Sequence, residues 1–136
     1  MRAFAIGVLA LCALINLGRG AIHVFAPDGG AHSIAGLDLS TNRQTIIALF
    51  ASLGFSQIVM GAFQAFVIVA RRDLVTLFLA LQAATTALGV VNLYLYRSLP
   101  VTVPGQPFNL VLLGLLVAAL IAAFVSGRHK TETQAS

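Results

Sequence analysis

The stretch Thr45–Ala70, TIIALFASLGFSQIVMGAFQAFVIVA, is followed by Arg71-Arg72-Asp73 and then by Leu74–Tyr96, LVTLFLALQAATTALGVVNLYLY. Neither run contains a charged residue, and each exceeds the roughly 20 residues that carry a helix across a bilayer. The three charged residues between them leave room for a tight turn only, which makes the two helices antiparallel neighbours. Barrel strands are about ten residues long and alternate in polarity, whereas these runs are longer, continuous and rich in Ala and Leu. Two further apolar runs flank the pair, Ala3–Phe25 before it and Phe108–Ser126 after it. The expected fold class is all-α, an integral membrane four-helix bundle with a short turn between helices two and three and two longer loops on the opposite side. A single domain covers residues 1–127, with spans at about 3–25, 45–70, 74–96 and 108–126, and residues 128–136 form a short frayed tail.

Composition supports this. Of 136 residues, 59% are apolar and 9% are charged, where a soluble domain carries about a quarter charged. Such a chain cannot cover a water-facing surface. The lone cysteine, Cys12, and the lack of a Cys/His cluster exclude a disulfide scaffold and a zinc site, and Cys12 reads as a core residue. The net charge of +4 does not point to nucleic acid, because the basic residues sit singly at the ends of apolar runs. They read as topology signals. Arg2, Arg71, Arg72, Arg128 and Lys130 fall on one side, against Arg19, Arg43 and Arg97 on the other. That balance favours cytoplasmic N- and C-termini in a bacterial inner membrane. The first run also has the make-up of a signal peptide, with Arg2 as the charged region and Ala3–Ile15 as the core. No small-x-small pair follows that core squarely, and apolar character resumes over Ala21–Phe25, which favours a retained helix.

Local signals mark the helix ends. Thr41 and Gln44 have capping-box spacing, Asp73 is placed to cap the third helix, and Pro107 suits the first turn of the fourth. Pro27-Asp28-Gly29-Gly30 stops the first helix, and Pro100, Pro104 and Pro107 stiffen the last connection.

Polar residues in a span tend to face neighbouring helices, so their spacing predicts the bundle interior. Cys12, Asn16, Arg19 and His23 share one face of the first helix. Gly54, Gln57, Gly61 and Gln64 do so on the second, and Gln82, Thr85, Gly89, Asn92 and Tyr96 on the third, with Thr86 beside them. Under the topology above, Asn16, Arg19, His23, Asn92 and Tyr96 gather in the outer half as a candidate ligand pocket, with Asp28, Asp38 and Arg43 near enough to roof it. Gln57, Gln64, Gln82 and Thr85 form a deeper stripe that lines a pore or merely bonds helix to helix. Gly114, Ala118, Ala122 and Ser126 form a small-residue seam, for internal packing or for an oligomer interface.

Arg19 offers a fixed fork of donors to an anionic head group, a carboxylate or a quinone carbonyl; the alternative is snorkelling toward the nearby outer surface or a salt bridge to Asp28 or Asp38. His23 at a helix end is an interfacial hydrogen-bonding residue or a relay, and a bis-histidine haem lacks its second ligand. Arg128-His129-Lys130 is a weak basic patch. Enzyme readings fare poorly: no span holds an acidic residue, and the chain has no cysteine pair, no Gly-x-Ser-x-Gly turn and no phosphate-binding glycine loop. No catalytic residue, metal ligand or cofactor is expected.

Ala26-Pro27, then Gly36-Leu37-Asp38-Leu39-Ser40 and Arg43 leading into a glycine-bearing second helix, give the chain a layout that resembles a family of small bacterial four-helix membrane proteins of unknown function, DoxX-like in outline. The resemblance covers almost the whole chain and implies an inner-membrane protein without an assigned reaction. The first expectation is a non-enzymatic accessory or partner-binding subunit with an outer polar pocket for a lipid-like or small ligand. A homo-oligomeric channel or transporter is the second, and a quinone-associated subunit of an oxidoreductase the third. The partners expected are the bilayer and a membrane protein or a second copy of the chain.

Overall fold

A computed structural model describes residues 2–97 and 103–134, with side chains as far as residue 125. The described residues are 82% helical, and no strand occurs among them. Helix α1 is Arg2–Phe25, α2 is Arg43–Ala70, α3 is Val75–Val91 and α4 is Gly105–Gln134. A 3-10 turn, Arg72–Leu74, leads into α3, and a π-helical segment, Asn92–Tyr96, extends it. Four segments, Arg2–Phe25, Arg43–Ala70, Arg72–Tyr96 and Gly105–Val125, are long and apolar enough to cross a membrane. The bundle has a turn end, at residues 71–74, and a loop end, at residues 26–42.

The helix ends depart from the sequence reading in three places. Thr41 and Gln44 form no capping box; Asn42, in the left-handed region at φ 55°, precedes α2 without a side-chain cap. Asp73 does not cap α3, because Arg71 holds it in a bidentate pair at 2.8 and 3.0 Å. The backbone of α4 continues to Gln134, where a frayed tail is expected; Gly127 alone does not stop a segment that continues with Lys130, Glu132 and Gln134. Pro107 does lie in the first turn of α4, and the Gln106 side-chain oxygen there accepts the Val103 N–H at 2.9 Å. Pro100 and the side chains of Arg128-His129-Lys130 lie outside the described residues.

Helix α1 is the hub, packing on α2, α3 and α4. Its closest contact is with α2, because glycines remove the side chains in between. A Cβ on Gly20 would stand 2.7 Å from the Gly54 carbonyl oxygen, and one on Gly54 only 2.7 Å from the His23 Cβ. At Gly61 the Ala13 oxygen would lie 3.0 Å away. Helices α2 and α3, expected as close neighbours, touch little along their length. The short turn fixes their ends, but the glycine face of α2 turns to α1 and α3 pairs with α4.

Three layers follow one another along the bundle axis. At the turn end is an apolar core in which Leu9, Cys12, Val67, Leu79 and Leu116 are fully buried. Next comes a layer of amides at Asn16, Gln64 and Gln82. At the loop end is a cavity beside Arg19 and His23. At 1.5 Å per residue these two lie about 5 and 10 Å beyond Asn16 along α1.

Candidate functional site

The amide layer satisfies itself. The Asn16 Nδ2 donates to Gln64 Oε1 at 3.0 Å and to Gln82 Oε1 at 2.9 Å. The Gln64 Nε2 donates to the same Gln82 oxygen at 2.8 Å, and Gln82 Nε2 donates to Thr86 Oγ1 at 3.3 Å. Three helices are thereby pinned at one level, and this is the main bridge between α2 and α3. Asn16, placed by sequence with the outer cluster, belongs to this pin. Thr85, placed by sequence in the deeper stripe, is exposed and donates to its own Leu81 carbonyl, whereas Thr86 is buried in the layer. Among the described residues Gln57 has no hydrogen-bond partner, and its Oε1 is buried without a donor.

The cavity measures about 470 Å³, within the range of small-ligand pockets. Helix α1 contributes Arg19, Ile22 and His23, α2 contributes Phe50 and Leu53, and the π-helical segment contributes Leu93. Val103, Pro104, Gly105 and Phe108 close it from the start of α4, and Gly30, Ile34 and Ala35 from the loop. Every contributor except Arg19 and His23 is apolar.

Asn92 and Tyr96, expected in this pocket, are both exposed, Tyr96 at 76%, and do not line it. The inward face of α3 is that of Gln82 and Thr86; Asn92, seven residues after the exposed Thr85, shares the outward face, and Tyr96 follows one turn later in the π-helical segment, where the Arg97 N–H bonds to the Asn92 carbonyl at 2.7 Å. Leu93 faces the cavity instead, and the Arg97 guanidinium lies over the Tyr96 ring, 5.5 Å from its centre. No spacing rule in the sequence marks that segment. Phe50, Leu53 and Phe108 were likewise not legible as lining residues, since they are ordinary apolar residues of a span.

His23 is fixed on both sides. Its Nδ1–H donates to the Gly29 carbonyl at 2.7 Å, and its ring meets Phe50 edge-on, 5.1 Å between centres. This leaves Nε2 as the ring nitrogen available to the cavity. The loop it holds is a compact turn at Gly29 and Gly30, both at positive φ, which glycine adopts without strain. Asp28 organises that turn by accepting the N–H groups of Gly30, His32 and Ser33 at 2.9, 3.2 and 2.7 Å. The N–H groups of Ser33 and then Gly30 hold its carboxyl well below the usual carboxylate range.

The roof expected over Arg19 is therefore not an ionic one. Asp28 is taken up by its own loop, and Asp38 by the backbone and hydroxyl of Ser40 at 2.8 and 2.7 Å. Arg43 is exposed and does not line the cavity. Among the described residues Arg19 has no hydrogen-bond or ion-pair partner, and its Nη2 stands 3.8 Å from where a Gly105 Cβ would be.

Gly114 has nothing within 4 Å of a Cβ, and Ala118 is exposed beside it, so this part of the seam faces away from the other helices. Ala122 is half-buried, and the side chain of Ser126 lies outside the described residues. Helix α4 packs inward through Leu112, Leu116 and Ala119. Among the described residues no group of three metal-ligating side chains occurs.

No family model, curated protein or solved structure matches the chain.

Proposed function

We propose that this is a small non-enzymatic membrane protein that binds a lipid-like or small ligand at the loop end of its bundle, as an accessory or partner-binding subunit. One observation carries the reading: an apolar cavity of about 470 Å³ with Arg19 and His23 as its two polar residues. Arg19 has no acidic partner among the described residues and borders the cavity, which supports a role toward a ligand. The proposal includes a bacterial inner membrane, both termini in the cytoplasm, the loop end outside, and kinship with the DoxX-like proteins. The distribution of Arg and Lys supports the orientation, and the Ala26–Arg43 layout supports the kinship.

The test is native mass spectrometry of the protein released from its own membrane in mild detergent, beside Leu53→Trp, which fills the cavity from an exposed position on α2. A small-molecule adduct retained by the wild type and lost from the variant is expected, together with a co-purifying subunit. An adduct indifferent to the substitution refutes the cavity as the site, and a solitary protein refutes the accessory role.

The second reading, a channel, has one observation in its favour: the unbonded Gln57 oxygen lies one turn from the cavity-lining Leu53 and two from Gln64. It requires solute flux in vesicles that falls on Gln57→Leu.

A further inference from the structure

The charge on Arg19 is the feature that selects among ligands, and the following rests on the cavity reading above. The chain has four acidic residues, and none is available to it. Asp28 is taken up by the N–H groups of Gly30, His32 and Ser33, and Asp38 by the N–H and hydroxyl of Ser40. Asp73 is paired with Arg71 at the turn end. Glu132 sits 27 residues along α4 from Gly105, about 40 Å away at 1.5 Å per residue. The guanidinium also abuts the first turn of α4, the positive end of that helix, which adds to the uncompensated charge. A permanent cation against an apolar wall is costly unless an anion meets it.

We propose that the cavity takes an amphiphile whose head is an oxyanion, a carboxylate or a phosphate monoester, and whose tail is hydrocarbon. The head pairs with the Arg19 fork, which matches the two oxygens of either group. The His23 Nε2, free because Nδ1 is committed to Gly29, is within the same wall for a second polar contact. The tail lies along Phe50, Leu53, Leu93 and Phe108. A neutral quinone or alcohol fills the same apolar space but leaves the guanidinium charge unbalanced, so it binds more weakly.

Delipidated full-length protein in a neutral detergent is titrated, by native mass spectrometry, with palmitate, hexadecyl phosphate and hexadecanol. The wild type binds at least one of the two anions at one molecule per chain, about tenfold or more tighter than hexadecanol, as a charge-assisted pair requires. Preference for palmitate assigns a carboxylate, and preference for hexadecyl phosphate a phosphate head. Arg19→Gln removes most of the preference of the anions over hexadecanol, while Arg19→Lys keeps part of it. Equal binding of anions and alcohol by the wild type overturns the oxyanion assignment, and this comparison needs no variant to fold. If that equal binding is abolished by Leu53→Trp, the cavity reading stands and only the head-group assignment falls. If Leu53→Trp changes none of the three, both fall.

Discussion

Replacing Gln82 by Leu should cost far more than replacing Gln64 by Leu, although both are glutamines in one buried layer. Gln82→Leu removes three hydrogen bonds, to Asn16, Gln64 and Thr86. At about 0.6 kcal/mol for each such bond in a membrane protein, that is about 2 kcal/mol. It also strands the Gln64 Nε2, whose only acceptor was Gln82, in a side chain that is 0% exposed. An unsatisfied buried donor adds about 1–3 kcal/mol, for a total of about 3–5 kcal/mol. Gln64→Leu removes two bonds and strands nothing: Asn16 still donates to Gln82, and Gln82 still donates to Thr86. Its cost is about 1 kcal/mol. The double variant no longer strands the Gln64 donor, but the half-buried Asn16 Nδ2 then loses both its acceptors; four distinct bonds go where the single variants count five between them, so its cost should fall below the sum of the two, where independent sites would add. Reversible unfolding by sodium dodecyl sulfate in mixed micelles, followed by circular dichroism, measures all three. Equal costs for the two single variants, or strict additivity in the double, would refute this account of the pin.

Gly54→Ala places a methyl 2.7 Å from the His23 Cβ and 2.8 Å from the Gly20 oxygen, and neither backbone can yield without separating α1 from α2. A loss of about 1–3 kcal/mol is expected in the same assay, while Gly18→Ala, with nothing within 4 Å, is neutral or slightly stabilising. Gln57→Leu, which removes an unsatisfied buried oxygen, raises stability by about 1 kcal/mol. The carboxyl of Asp28 is held below its ordinary value of 3.8, so its support of the loop is complete above that value and is lost as pH falls through the folded one. Amide protection at Gly30, His32 and Ser33 should therefore stay level near neutral pH and decline only below about pH 4. In Asp28→Ala it should be low throughout. Loss of protection between pH 7 and 5 in the wild type would contradict the assignment.

The four helices were legible because their evidence is local: long uncharged runs, and charged residues only at their ends. The faces of α1 and α2 were legible for a related reason, since amides and glycines at helical spacing have few places to go in lipid. Gln64, Gln82 and Asn16 do meet, although Asn16 meets the amides and not Arg19. The face of α3 was misread from Thr85 onward, because Thr85 and Thr86 are adjacent and equally polar, and spacing alone did not show that Thr86 is the one that joins Gln82 inside. The acidic residues were read by proximity to Arg19, yet an Asp two to five residues before free N–H groups is captured by its own backbone first. Apolar lining residues such as Phe50 and Phe108 become distinguishable from lipid-facing ones only once the helices are assembled.

The amide pin also sets a timetable for biosynthesis. The partners of Asn16 lie 48 and 66 residues further along the chain. At 5–20 residues per second, Gln82 emerges roughly 3–13 s after Asn16. Until Gln64 arrives the Asn16 amide has neither of its acceptors, and until Gln82 arrives it has one of the two, with Arg19 on the same face of α1. Made before α2, α3 and α4, α1 is completed only once α3 has followed it. A chain interrupted before α3 would present the insertion machinery and the quality-control proteases of its membrane with a polar face that nothing yet covers.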